Sequence, residues 1–557
     1  MNDIKIITIG ICMILSYFQV FIWFRRIENP LKRVIVTLVL GFILIFFIPR
    51  SEIILATYFI ARLFYRLLKS KKTTSKREKV IKIERNNPEY IYLESEKGTI
   101  DIANPYRGIL IQGGAGSGKS KSLFYPIIQQ IISNDYSGVM YDFKSPELSE
   151  LAYSYYNENN KTNFAFLNFK DVSNSARVNP LSPEYLTKQA IAFEMATVLV
   201  NNLLPESIKK KDYWTRSSIS VIAGTIWYLK NNHPKFCTLP HMIALILSFP
   251  SSLLIELLSD DMETAGMIAS LKEAHEMKAE KQIAGVVGTI KNALAQLNIP
   301  EVFYLLSEDS TSLDVNDPHK PVFLSIGNDS SLTNTYAPII SLIISVCSRL
   351  MNQPGKHKSA IILDEAPTLY IPGFEQIPAT ARSNKVITVF GLQDYSQMVD
   401  RYGSDKAQVM ISNLGNQFYG RTVNERSADM IVKLFGKHDV TYNTVSNSSG
   451  SSSGGFLSDH YSASNNKSIS QSIQQRERVN ISDIKNLSPG TFYGIIADGF
   501  TKELIGTNLH QIKSTYKKIE GVSPLTDTKE TFKQIYDDVS SLQGGNDTIT
   551  DFKIQLT

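Results

Sequence analysis

The residues with the clearest chemical meaning are Gly113-Gly114-Ala115-Gly116-Ser117-Gly118-Lys119-Ser120. They satisfy G-x-x-x-x-G-K-[ST] at every fixed position. The glycines let the backbone wrap with its N–H groups turned inward around phosphate oxygens. Lys119 reaches the β and γ phosphates, and the Ser120 hydroxyl is placed to ligate Mg2+. Ser122, two residues further on, is counted with the loop among the nucleotide contacts. A second constellation lies far downstream, where Ala360-Ile361-Ile362-Leu363 runs into Asp364-Glu365. Asp364 is suited to complete the metal's sphere through water, and Glu365 to polarise an attacking water. Gln393, at the end of the apolar run Val386–Leu392, can sense a γ-phosphate or orient water. Arg382, in Thr380-Ala381-Arg382-Ser383, reads either as an ordinary surface arginine or as one inserted into a neighbouring subunit's site.

These groups need a scaffold. Ile109–Gln112 gives a short strand before the loop, and roughly Lys119–Ile132 a helix after it, whose positive N-terminus points at the same charge. Gly138–Tyr141 reads as another strand, ending in Asp142-Phe143-Lys144 and then Ser145-Pro146-Glu147. Polar residues at such a strand end either face the binding crevice or form an ordinary strand-end turn. Ala360–Leu363 does not alternate, as in a strand buried on both faces. The expected fold is therefore α/β, a P-loop NTPase core.

The spacing between Lys119 and Asp364 exceeds what a minimal core needs, so something is inserted. Residues 184–300 read as helices: Lys188–Leu203, Trp214–Lys230, Leu239–Leu247, Leu253–Leu258 and Thr264–Leu297. Pro234, Pro240 and Pro250 punctuate them. Tyr213-Trp214 reads as helix packing sooner than as a base-stacking platform. Residues 441–472, rich in Ser, Asn and Gly, read as a flexible loop or a poorly packed hairpin. Residues 521–557 hold six acids and three lysines, a short acidic tail of net −3, either solvated or a docking element.

Composition narrows the class. With 43% hydrophobic and 20% charged residues, the 557-residue chain can bury a sizeable core and is not a disordered polymer. Cys12, Cys237 and Cys347 have neither disulfide-framework nor zinc spacing. Residues 4–24 are long and apolar enough to cross a bilayer, too long for a signal peptide, and no small-residue cleavage site follows. A second run follows at 34–49 and an amphipathic one at 53–68, giving two or three spans. Arg62 to Lys82 carries nine basic residues and one acid, Glu78, so this segment holds +8 of the formal +5 and the remainder is −3. The cluster reads as a topology signal and anionic-lipid anchor. Global charge gives no argument for nucleic-acid binding.

Taken together, the apolar N-terminal segments, GGAGSGKS, the helical insertion, ILDEAP and VFGLQDYSQMVDRYG resemble type IV secretion coupling proteins, the TraG/TraD-like ATPases of conjugation. SARVNPLSP, Asp212-Tyr213-Trp214 opening a helix, and Gln393-Asp394-Tyr395-Ser396-Gln397 extend the resemblance over nearly the whole chain. Ser145-Pro146-Glu147 departs from the more usual Gly-Glu, and the segment between the first two spans is short. The resemblance implies a RecA-like motor interrupted by an all-α domain. It implies an inner-membrane protein, large domain cytoplasmic, assembled as a homo-oligomeric ring, usually hexameric. Arg382 falls at the family's arginine finger and Gln393 at its motif-three glutamine. The cofactors implied are ATP and Mg2+. The partners implied are single-stranded DNA with its relaxase in the relaxosome, the type IV secretion channel, and membrane lipid. The resulting layout is an anchor over 1–82, the motor over 83–183 and 301–520, an all-α insertion over 184–300, and an acidic tail over 521–557. Effector-protein cargo without DNA, or an ATP-binding scaffold with little turnover, stay open on the sequence.

Overall fold

The structure is a computed structural model that describes residues 87–210, 212–452, 462–513, 516–520 and 527–543. These residues fall in the compact unit that runs from Ile83 onward. The apolar segments at 4–24, 34–49 and 53–68 and the basic cluster lie outside the described residues.

A nine-stranded sheet organises the unit. Its strands are β3 (Ile109–Gln112), β4 (Ser137–Asp142), β5 (Asn163–Asn168), β6 (Val322–Gly327), β7 (Ser359–Leu363), β8 (Val386–Leu392), β9 (Asn416–Tyr419), β12 (Thr491–Ile495) and β13 (Glu503–Asn508). The order is β13-β12-β9-β3-β8-β7-β4-β6-β5. Pairing is parallel from β9 through β5, and β12 and β13 close the edge antiparallel. Every residue of β3, β4, β6, β7 and β8 is buried. That suits their mostly apolar composition, since helices cover both faces, with Gln112, Ser137, Asp142, Ser325, Ser359 and Thr388 as buried polar exceptions. Period-two alternation still sorts the side chains. Ile109 and Ile111 pack on one face with Phe124, Ile127 and Ile128, while Leu110 points to the other. A separate hairpin, β1 (Ile91–Ser95) with β2 (Gly98–Ile102), joins the first face.

Between β5 and β6 the described residues from Gln189 to Leu306 form helices and connecting turns, without strands. They share one continuous core with the second face of the sheet. The periodic stretch 264–297 is not one helix. It breaks into Met262–Met267, Ala269–Glu276 and Glu280–Ala295. Lys278 takes a left-handed φ of 58°, its N–H donates to the His275 carbonyl, and Ala279 N–H reaches back to the Ala274 carbonyl. This is the closure glycine usually provides at a helix end, and no glycine marked it in the sequence.

The Ser/Gly-rich segment forms a hairpin, β10 (Lys437–Ser452) against β11 (Ser462–Glu477), paired from Lys437↔Glu477 to Ser452↔Ser462. At about 3.4 Å per residue, its arms extend roughly 50 Å. The helix Thr333–Met351 is long and apolar enough to span a membrane, but 72% of its apolar window is buried. It is a core helix under the sheet.

Within the acidic C-terminal segment, Thr528–Gln543 is a helix docked on the insertion. Ile535 and Val539 are buried, Phe532 packs 4.7 Å from Phe303, and Tyr536 donates its hydroxyl to Asn298 Oδ1 at 2.8 Å. Asp538 Oδ2 lies 3.4 Å from His241 Nε2. Three of the acids, Glu530, Asp537 and Asp538, therefore sit on a helix that also carries the buried apolar Ile535 and Val539. Burying an unpaired carboxylate costs several kcal/mol, so Val539→Asp is expected to detach this helix. Hydrogen exchange over 528–543 should then approach that of a free peptide. Unchanged protection would show that Val539 is not part of what holds the helix down.

Candidate nucleotide site

β8 lies between β3 and β7, and Gln112 pairs with Leu392 while Leu363 pairs with Phe390. Gly113, Gln393 and Asp364 thus leave the sheet side by side at its carboxyl edge, where ligands of open parallel sheets bind. Their side chains converge on a cavity of about 370 Å³. Its lining includes residues 114–121, Asp364, Glu365 and Gln393. Gly113, Ser122 and Arg382 are not in that lining.

The loop is held at three points. Gly113 N–H donates to the Leu392 carbonyl at 3.1 Å, Gly114 N–H to Arg421 at 2.8 Å, and Gly490 N–H to the Ser117 carbonyl at 2.9 Å. Gly118 takes φ +94°, and a Cβ there would meet Gly490 N at 2.5 Å. Gly118→Ala combines a strained φ, of order 1–3 kcal/mol, with that collision. It is expected to weaken nucleotide binding by about tenfold or more without unfolding the sheet, as titration and thermal melting would show together. After the loop, Ser120–Phe124 winds as a π turn before the α-helix Tyr125–Ser133. Such wide turns recur at functional sites.

Lys119 Nζ donates to the carbonyls of Gly113 and Leu392, at 2.5 and 3.1 Å. Burial pushes its ammonium below the ordinary value, against the pull of Glu365 and Asp364. Glu365 is buried, and its Oε1 accepts Gln393 N–H at 3.2 Å. Burial raises the Glu365 carboxyl, while Lys119 and the Gln393 bonds hold it down. Asp364 is pushed up to about 7, first by burial, then by repulsion from Asp142 and Glu365, with Lys119 opposing.

Asp142 ends β4, the neighbour of β7, and is fully buried. One carboxylate oxygen accepts Ser149 N–H and Oγ at 2.9 and 2.8 Å, and the other has no partner. Burial raises it to about 6, against the Ser149 hydrogen bonds. Asp142, Lys144 and Glu147 all line the cavity. So do Pro489 and Gln511, which follow the hairpin and carry no sequence signal of a site. Ser122 is buried beside Gly490, its hydroxyl without a partner. Arg382 stands exposed on the 3-10 turn Ala381–Asn384. Trp214 is 45% exposed and lies against Gly285. A larger cavity, about 650 Å³, lies away from these groups, among Phe193, Arg349 and Phe374.

The residues fit a magnesium nucleotide. The loop turns through left-handed Gly116 and Gly118 at the cavity wall, the Ser117 hydroxyl and one Asp142 oxygen are buried without partners, and a cation is set against grouped carboxylates. Among the described residues no group of three or more His, Cys, Asp or Glu forms a complete metal cage. Magnesium does not require one, because it is commonly held by one or two protein groups with phosphates and water.

A buried parallel sheet with this loop, the carboxylate strand and a glutamine-ended strand between them defines a RecA-like P-loop nucleotide-binding fold. The chain belongs to the family described as type IV secretory system conjugative DNA transfer, whose model matches residues 65–487. It is similar to the coupling protein TraD of Escherichia coli K12, 22% identical over 247 residues, or 43% of this chain. It spans 33% of that relative's length. Among solved structures it resembles the bacterial conjugative coupling protein TrwBdeltaN70, with a TM-score of 0.58 and 15% identity over 76% of this chain and 89% of that one. TrwB in complex with ADP and Mg2+ superposes with a TM-score of 0.53 at 16% identity, over 76% and 88%. At such identities the likeness establishes the shared fold.

Proposed function

We propose that this chain is a membrane-anchored ATPase that recruits single-stranded DNA with its relaxase and delivers it to a type IV secretion channel. The observation that carries this is the convergence of the phosphate loop, Lys119, Asp364, Glu365 and Gln393 on one cavity, in a member of a conjugative DNA transfer family. Lys119 and the loop amides hold the phosphates. Ser120 and Asp364 would hold Mg2+, which would offset charge on the transferring phosphoryl group. Glu365 takes a proton from water, fixed in direction by the Gln393 N–H. Phosphoryl transfer of this kind is mostly positioning and electrostatics. Arg382, exposed on its own chain, is assigned to a neighbouring protomer's site in a homo-oligomeric, hexameric ring. Residues 1–82 are assigned to the anchor and 184–300 to the all-α insertion of the motor.

The test is Mg2+-dependent ATP hydrolysis by the full chain. Lys119→Ala should abolish it, and hydrolysis persisting in that variant would place the chemistry elsewhere. Binding to single-stranded DNA should weaken steeply with salt, at about −0.7 in log–log slope for each phosphate contacted. A flat salt response would favour protein cargo.

A further inference from the structure

Asn202 lies near the end of the insertion helix Gln189–Leu203 and is buried against the motor. Its side-chain amide grips one residue at two points. Tyr370 N–H donates to Asn202 Oδ1 at 3.1 Å, and Asn202 Nδ2 donates to the Tyr370 carbonyl at 2.7 Å. The side chain thus serves Tyr370 as a neighbouring strand would. Nδ2 also reaches the Val198 carbonyl at 2.8 Å. Oδ1 further accepts Arg401 Nη2 at 2.8 Å and Ser341 Oγ at 3.3 Å. Donors surround the oxygen and carbonyls the nitrogen, so the amide's orientation is fixed by its partners.

Both strand ends of the nucleotide site run into this cluster. Tyr370 follows Glu365 by five residues, and within that stretch Thr368 Oγ1 donates to the Glu365 carbonyl at 2.7 Å. Arg401 and Tyr402 lie on the helix Tyr395–Tyr402, which Asp394 caps immediately after Gln393. Tyr402 Oη donates to the Leu369 carbonyl at 3.1 Å and accepts Ile371 N–H at 3.2 Å. The segment after Glu365 is therefore held both by the helix after Gln393 and by Asn202, which Arg401 of that helix also contacts. Arg401 has no carboxylate partner among the described ion pairs, so the Asn202 oxygen is an acceptor it depends on.

We propose that Asn202 is a positioning residue that couples the helical insertion to hydrolysis, by fixing the segments that follow Glu365 and Gln393. The proposal rests on the ATPase reading of the site. A plain alternative is that Asn202 only satisfies buried backbone groups. Such a role would change stability without separating turnover from binding.

The test uses the full chain in detergent. Asn202→Asp keeps an acceptor for Tyr370 N–H and Arg401 but turns an oxygen toward the Tyr370 and Val198 carbonyls. Arg401→Gln disturbs the same cluster from the motor side, should the first variant fold poorly. Expected are a kcat for ATP lower by about threefold to thirtyfold and an unchanged Kd for Mg-ATP. Mg-ATP should slow amide exchange in Gln189–Leu203 in the wild type and not in the variants. Unchanged kcat and unchanged protection in a folded variant, with only the melting temperature lowered, would overturn the proposal. Should the wild type bind Mg-ATP without hydrolysing it, the ATPase reading falls. The exchange comparison then still decides whether Asn202 links the insertion to the nucleotide site, and a loss of that link in the variants is what remains of the proposal.

Discussion

Glu365→Gln should bind Mg-ATP as tightly as the wild type and turn it over at least about a hundredfold more slowly. The substitution is close to isosteric, and its remaining carbonyl oxygen can still accept the Gln393 N–H that Glu365 Oε1 accepts now at 3.2 Å. Lys119 and the loop amides are untouched, so the affinity for phosphates stays. What is lost is a proton acceptor beside the attacking water. The sign of the accompanying pH effect follows from burial, which raises the Glu365 carboxyl above its ordinary range. The ionised base is therefore scarcer at mildly acidic pH, and wild-type turnover should climb as pH rises through that displaced value. The residual rate of the variant should lack this component. Equilibrium nucleotide titration alongside single-turnover hydrolysis separates the two quantities. A variant that hydrolyses at the wild-type rate would remove Glu365 from the chemistry, and one that fails to bind would make it a structural residue.

The strands that position these groups were legible because each is a mostly apolar run ending in polar residues, and the phosphate loop because its spacing is strict. Asp364 and Glu365 stood out for the same reason: two acids at the end of Ala360–Leu363 have no place in a core. The neighbourhood of Asp142 was harder to read. It faces Asp364 because β4 and β7 pair in parallel, with Tyr141 opposite Leu363, and no local pattern encodes that register. Pro489 and Gln511 reach the cavity because Gly490 N–H bonds the Ser117 carbonyl and Ile512 N–H the Lys121 carbonyl, both from the far end of the chain. The break in 264–297 depends on Lys278 adopting a conformation that glycine usually marks. The acidic tail read as solvated or docking by charge, whereas Ile535 and Val539 decide its placement.

Magnesium should be required at roughly tenfold higher concentration for each pH unit below about 7. Asp364 is held near 7 because it is buried beside Asp142 and Glu365, and Asp142 is itself raised to about 6. A cation entering this group must displace the proton that the crowded carboxylates retain. The same retention has a stability signature with a definite sign. Groups whose folded value is raised contribute stability that is fully present below their ordinary range, near 4. That contribution is lost as pH rises through about 7. The nucleotide-free protein should therefore lose this contribution between about pH 4 and 7, while added Mg-ATP restores stability most strongly at the upper end. Asp364→Asn removes the largest raised carboxyl. It should flatten the slope of melting temperature against pH in the nucleotide-free state and raise the Mg2+ requirement at every pH. The two effects must appear together, because both come from one buried charge facing Asp142. A variant with a flattened slope but an unchanged Mg2+ requirement would show that Asp364 shapes the local field without holding the metal.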